Sequence, residues 1–161
     1  MFFSDKKTIL VSSCLLGNNV RYDGTNKHNK ALTDKLNKHF NIHPVCPEFE
    51  AGFGVPREQM DIYLKNEQMR LITKNSLKDK TEIINKWFIE FGNLAKQNSI
   101  KGFVCKSKSP SCALNDAVYY DSFTRSNGSG LFVLFLKKAF PDIVIIDEKM
   151  ALDEAEFLKL L

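Results

Sequence analysis

The sequence predicts an α/β fold: one small, open, mostly parallel sheet of the Rossmann-like kind, flanked by helices. Three observations predict it. Short β-branched apolar runs recur along the chain, segments of helical spacing lie between them, and Gly, Pro and Asp punctuate the connections. Strands separated by helices pair in parallel through right-handed crossovers. No composition shift, repeat or linker divides the chain, so residues 1–161 are read as one domain.

Each element follows from its residues. Thr8–Ser13 (TILVSS) is a buried first strand ending in small residues. Asn18–Asn26 is polar and contains Gly24, a loop. Lys30–His39 has Ala31, Leu32 and Leu36, with Phe40 just beyond, at helical spacing. Asn41–Val45 is the second strand, stopped by Cys46-Pro47, and Gly52–Arg57 is a Gly/Pro loop. Asp61–Thr73 reads as either a short hairpin or an extended excursion. Lys80–Gln97 is the strongest helix, with Ile83, Ile84, Trp87, Phe88, Phe91, Leu94 and Ala95 on one face. Ile100–Cys105 is the third strand and Lys106–Asn115 a polar loop. Gly130–Ala139 is a helix after a Gly-Ser turn, Asp142–Ile146 the fourth strand, and Asp153–Leu161 a closing helix.

Composition narrows the function classes. With 43% apolar and 26% charged residues the chain can build a core and is not disordered. Lys+Arg number 23 and Asp+Glu 19, a net charge of +4. That suits an anionic small molecule, while a nucleic-acid partner is not favoured. No apolar run approaches the ~18 residues of a membrane span. No signal-peptide core follows the charged Met1–Lys7 segment. Both absences predict a cytoplasmic protein without a membrane partner. In that compartment four cysteines serve metals, catalysis or packing rather than disulfides.

Ligands of open α/β sheets bind beyond the carboxyl ends of the strands. Cys14 follows the first strand, Cys46 the second, and Cys112 lies in the loop after the third. Cys105, inside the third strand, reads as packing. The three loops are Ser12-Ser13-Cys14-Leu15-Leu16-Gly17, Cys46-Pro47-Glu48 and Ser109-Pro110-Ser111-Cys112. Proline limits their donors, and the remaining amides are expected to be free for an anion or sulfide. Three converging thiols leave three metal readings: a structural zinc with a fourth ligand, a zinc with one open position, or an iron–sulfur cluster with one iron open. Spacing alone does not choose among them.

These loops, together with Val20-Arg21-Tyr22-Asp23-Gly24, Gly52-Phe53-Gly54-Val55-Pro56-Arg57 and Lys106-Ser107-Lys108, carry a recognisable pattern. The pattern resembles the thiouracil desulfidase family, long catalogued as a bacterial domain of unknown function, and spans about Ile9 to Asp147. The resemblance implies a 4Fe–4S cluster held by Cys14, Cys46 and Cys112, whose open iron takes the sulfur of a thiolated pyrimidine. It implies a non-redox hydrolytic desulfuration giving uracil and hydrosulfide, with Glu48 and Ser109 as the catalytic groups. It also implies the iron–sulfur assembly machinery as a partner. The chain departs from the family pattern at Ala113 and Ala51, where glycine is usual.

Residue chemistry adds roles to this frame. Glu48 is the expected general base for water, and otherwise a helix cap or ion-pair partner. Ser111 is expected to bond the ring or the water, and otherwise to close a turn. Tyr22 is placed to stack on a pyrimidine, with Arg21 or Asp23 on its edge; the plainer reading is a turn tipped by Asp23-Gly24. Lys106, like Lys108, is expected to neutralise a substrate phosphate or the cluster, and otherwise to be a solvated surface charge, the commoner case. Three rivals stand beside the thiouracil reading: a desulfidase for thiouridine or its monophosphate, a non-catalytic metal-containing tRNA-binding module, and a thiol-based persulfide handler.

Overall fold

A computed structural model describes residues 6–161, so most of the charged Met1–Lys7 segment lies outside the described residues. The predicted sheet is present. Its strands β1 (Thr8–Ser12), β2 (Asn41–Val45), β5 (Ile100–Cys105) and β8 (Val144–Asp147) lie in the order β2-β1-β5-β8 and pair in parallel throughout. The helices are α1 (Lys30–His39), α2 (Thr81–Ala95), α3 (Leu131–Ala139) and α4 (Glu154–Leu158). Two of the helix starts carry a side-chain cap. Asn29 caps α1 by accepting from the Leu32 amide, and Asp153 caps α4 by accepting from the Glu156 amide.

Strand alternation sends side chains to two cores. Ile9 and Val11 of β1 and Val104 of β5 meet Leu32, Leu36 and Phe40 near α1 and Phe157 and Leu160 near the C-terminus. Leu10, Phe103 and Cys105 face the other way, onto Phe88 and Phe91 of α2 and Phe132 of α3. On α2 the buried stripe is Thr81, Ile84, Phe88, Phe91, Gly92 and Ala95. Ile83 and Leu94, expected on that stripe, are 47% and 65% exposed, because both lie beyond the same edge of it.

A second sheet joins the predicted one. It comprises β3 (Met60–Lys65), β4 (Gln68–Thr73), β6 (Ala117–Tyr120) and β7 (Arg125–Gly128) in the order β4-β3-β6-β7. Asp61–Thr73 is therefore a hairpin, one of the two readings the sequence allowed. Asn66 and Glu67 fill its two-residue turn with φ of 50° and 63°. Both lie in the left-handed region a type I′ turn demands, without the glycine that announces one. The β6–β7 pair was not anticipated. Its strands are four residues each, and β7 (RSNG) is polar and mostly exposed, so it has no apolar period. Both sheets contribute to one core, with Met60, Ile62, Leu71 and Tyr119 packed in the same cluster as Leu10 and Phe103.

Candidate active site

The carboxyl ends of β1, β2 and β5 open onto a cavity of about 480 Å³ that contains the three motif cysteines among its lining residues. Cys14 sits in the tight turn Ser13–Leu16 after β1, which ends on Gly17 at φ 95°. A side chain at that position would be strained, so the glycine lets the chain double back and bring Cys14 to the strand end. Cys46 directly follows β2, its amide donating to Glu50 Oε1 at 2.9 Å and its thiol reaching the Val20 carbonyl at 3.8 Å. Cys112 is held by the Ser109 hydroxyl, which accepts from the Ser111 and Cys112 amides at 3.2 and 3.0 Å. The Cys46, Ser111 and Cys112 amides are thus spent on side chains and are not among those free for an anion.

The start of α3 clamps the Cys112 loop. Gly130, Leu131 and Phe132 donate their amides to the carbonyls of Ala113, Pro110 and Ser111 at 2.8, 3.0 and 2.9 Å. These are helix-terminal donors that the helix itself cannot satisfy, so the loop and the helix end complete each other. Burial pushes all three thiols up, Cys46 to about 11, and Cys112 feels Cys46 and Cys14 nearby. Thiols in that state are protonated and weak nucleophiles, and they release their protons on binding a metal.

Glu48 lies among these loops, 9% exposed. Its Oε2 accepts from Arg57 Nε at 2.9 Å and its Oε1 from the Ser111 hydroxyl at 2.9 Å. Arg57 Nη1 also donates to the Val20 and Gly54 carbonyls, both at 2.9 Å. One guanidinium thus ties Glu48 to the loop after β1 and to the turn that ends in the cis Val55–Pro56 peptide. This fits the planar, multi-donor geometry of arginine better than the point charge of lysine.

The family model described as 2-thiouracil desulfurase matches residues 9–148. The chain belongs to the 2-thiouracil desulfurase family. It is similar to the uncharacterised protein YbbK of Bacillus subtilis (strain 168), at 30% identity over 139 residues, covering 81% of this chain and 90% of YbbK. Among solved structures it is similar to the [4Fe-4S]-dependent thiouracil desulfidase TudS, with a TM-score of 0.76 and 27% identity, covering 97% of this chain and all of that one.

Within this desulfurase fold the predicted residues separate. Cys14, Cys46, Cys112, Glu48, Ser109, Ser111, Arg21, Tyr22 and Lys106 all line the cavity. Asp23 does not, which corrects its expected place on a substrate edge. It closes the turn instead, accepting from the Thr25 hydroxyl at 2.6 Å and the Thr25 amide at 3.1 Å. Lys106 is already paired, its Nζ 2.6 Å from Glu148 Oε1, so its charge is not spare for a phosphate. Cys105 is fully buried in the core, on the same strand face as Phe103. Gln59, Asp61, Lys74, Val118 and Tyr120 also line the cavity and were missed. They stand in or beside the second sheet, and nothing in their local pattern marks them as site residues.

Proposed function

We propose that this chain is a 4Fe–4S-dependent desulfidase that converts a thiolated pyrimidine of the 2-thiouracil type to uracil and hydrosulfide. The observation that carries the reading is the meeting of three thiols from three strand ends in one cavity, with no histidine among its lining residues. Thiolates are the ligands iron–sulfur clusters take. Among the described residues no three Cys, His, Asp or Glu side chains converge on a single-ion position. Cys14, Cys46 and Cys112 would hold the cluster, and with three protein thiolates it would supply a thiophilic Lewis-acid position for the exocyclic sulfur.

The protein's own part is to place and deprotonate water. A carboxylate has about four lone-pair sites, and Glu48 uses one on Arg57 and one on Ser111. It keeps acceptor capacity for a water molecule. The new C–O bond forms as Glu48 takes one water proton; the C–S bond then breaks with its electron pair on sulfur, the remaining hydroxyl proton is lost as the carbonyl forms, and sulfur leaves as hydrosulfide carrying one of the two protons, so no redox change occurs. Arg57 and Ser111 fix the carboxylate so that it need not reorganise. Ser109 uses its oxygen to hold the Cys112 loop and keeps its hydroxyl proton to donate into the cavity.

The test is anaerobic reconstitution followed by metal analysis and a thiouracil assay. About four iron and four sulfide per chain, as a cubane requires, with hydrosulfide released from 2-thiouracil, is the expected result. Zinc alone, or a loaded cluster that releases no hydrosulfide from any thiopyrimidine, overturns the reading. A second reading has its own observation: Lys27 and Lys108 line the cavity and have no ion-pair partner among the described residues. They suit a thiouridine monophosphate, and rates on base, nucleoside and monophosphate decide between the two.

A further inference from the structure

The polar groups lining the cavity fall into two sets. On the thiol side every named group is engaged: Glu48 with Arg57 and Ser111, Lys106 with Glu148, and Ser109 with two amides. On the side of the second sheet, Asp61 has Lys74 as an ion-pair partner but accepts no hydrogen bond. Its carboxylate is 18% exposed, and no described residue donates it a hydrogen bond. Lys74 Nζ is 3.7 Å away, beyond hydrogen-bond length. A carboxylate that lines the cavity with hydrogen-bond acceptors unused is open to a donor carried by a ligand.

Strand alternation explains its direction. Met60 and Ile62 of β3 are buried in the core, so Asp61 and Tyr63 between and beside them face the opposite side. On β6, Ala117 and Tyr119 are buried, and Val118 and Tyr120 take that opposite side. Ile62 pairs with Tyr119, so the two strands present one continuous face. Asp61, Val118 and Tyr120 of this face line the cavity. An aliphatic patch, an aromatic ring and a carboxylate side by side form a wall for a flat heterocycle with an N–H on its edge.

We infer that Asp61 is a specificity-determining residue that accepts a ring N–H of the pyrimidine, and that the second sheet is the wall that reads the base. The inference rests on the thiopyrimidine reading above and adds the group that recognises the lactam edge. A hydrogen bond to an ionised acceptor outweighs a neutral one, so its loss is readable as affinity.

The experiment is calorimetric binding of uracil, the expected product, to the cluster-loaded protein, with iron content measured on every sample. Asp61→Asn is expected to weaken uracil binding by about 10-fold or more, the scale of a charge-assisted bond. For wild type, either 1-methyluracil or 3-methyluracil loses the N–H that Asp61 takes and binds more weakly by a similar factor. In Asp61→Ala, which has no side-chain acceptor, that discrimination disappears. An Asp61→Asn protein with full iron content and wild-type uracil affinity overturns the inference. Should the variant fail to load its cluster, the wild type decides alone: equal affinity for uracil and both methyluracils overturns it. Uracil binding that depends on Asp61, without hydrosulfide release from 2-thiouracil, leaves this inference standing and defeats the desulfidase reading instead.

Discussion

Glu48 sits where chemistry and stability meet, and the two roles separate by substitution. Its partner Arg57 has a side chain only 8% exposed. Deleting the carboxylate would strand a buried cation, a cost of about 3–5 kcal/mol. Glu48→Gln avoids most of that cost, because the amide oxygen still accepts from Arg57 while the group can no longer take a proton. The variant is expected to load its cluster and to lose about 10²–10⁴-fold in desulfuration rate, the usual worth of a general base. Iron content and initial hydrosulfide rates check it. A loaded variant that turns over at the wild-type rate removes Glu48 as the base. Cys105 shows the opposite lesson at this scale: its place on the Phe103 face of β5 makes it a packing residue, as its position inside a strand predicts.

At the level of elements, the contact between α3 and the Cys112 loop controls the site. Gly130 has no side chain because there is no room for one. A Cβ there would stand 2.5 Å from the Ser111 carbonyl carbon and 2.9 Å from the Ala113 nitrogen, both backbone atoms that cannot swing aside. Gly130→Ala must therefore push the loop off the helix end and break the bonds from Gly130, Leu131 and Phe132 that hold it. The expected outcome is loss of iron per chain after reconstitution at urea concentrations where helix content is still native. Circular dichroism and iron analysis across one urea series test this order. The sequence showed a glycine at a helix start, which is common, but not the loop that comes within contact of it.

For the whole molecule, the aromatic cluster joining α2, α3 and the first sheet is the shared foundation. Phe132 is fully buried, with ring centroids 5.3 Å from Phe91, 5.4 Å from Phe103, 5.5 Å from Trp87 and 5.6 Å from Phe88. It also follows the Gly130 clamp by two residues, so core and site share a helix. Phe132→Ala is expected to cost about 3–5 kcal/mol, a large part of the ~5–15 kcal/mol by which a domain is stable. Its urea midpoint should fall with the slope unchanged. A loss under about 1 kcal/mol would mean the cluster relaxes around the hole, as cores sometimes do. Among the described residues no helix is long and apolar enough to cross a membrane.

The sequence by itself determined the parallel sheet and its four strands, because β-branched runs of five or six residues and the helical stripes between them are local patterns. It also determined that Cys14 and Cys46 stand directly after their strands and that Cys112 lies in the loop after the third. What only the tertiary structure decided lies in contacts between distant segments. Glu48 meets Ser111 across 63 positions, and Lys106 meets Glu148 across 42. The second sheet is the largest such feature. Its strands are short and partly polar, and β3 and β6 gain their meaning only when they pair and turn Asp61 and Tyr120 toward thiols carried by the other sheet. Periodicity reports which face of a strand is buried, but not what stands opposite the face left open.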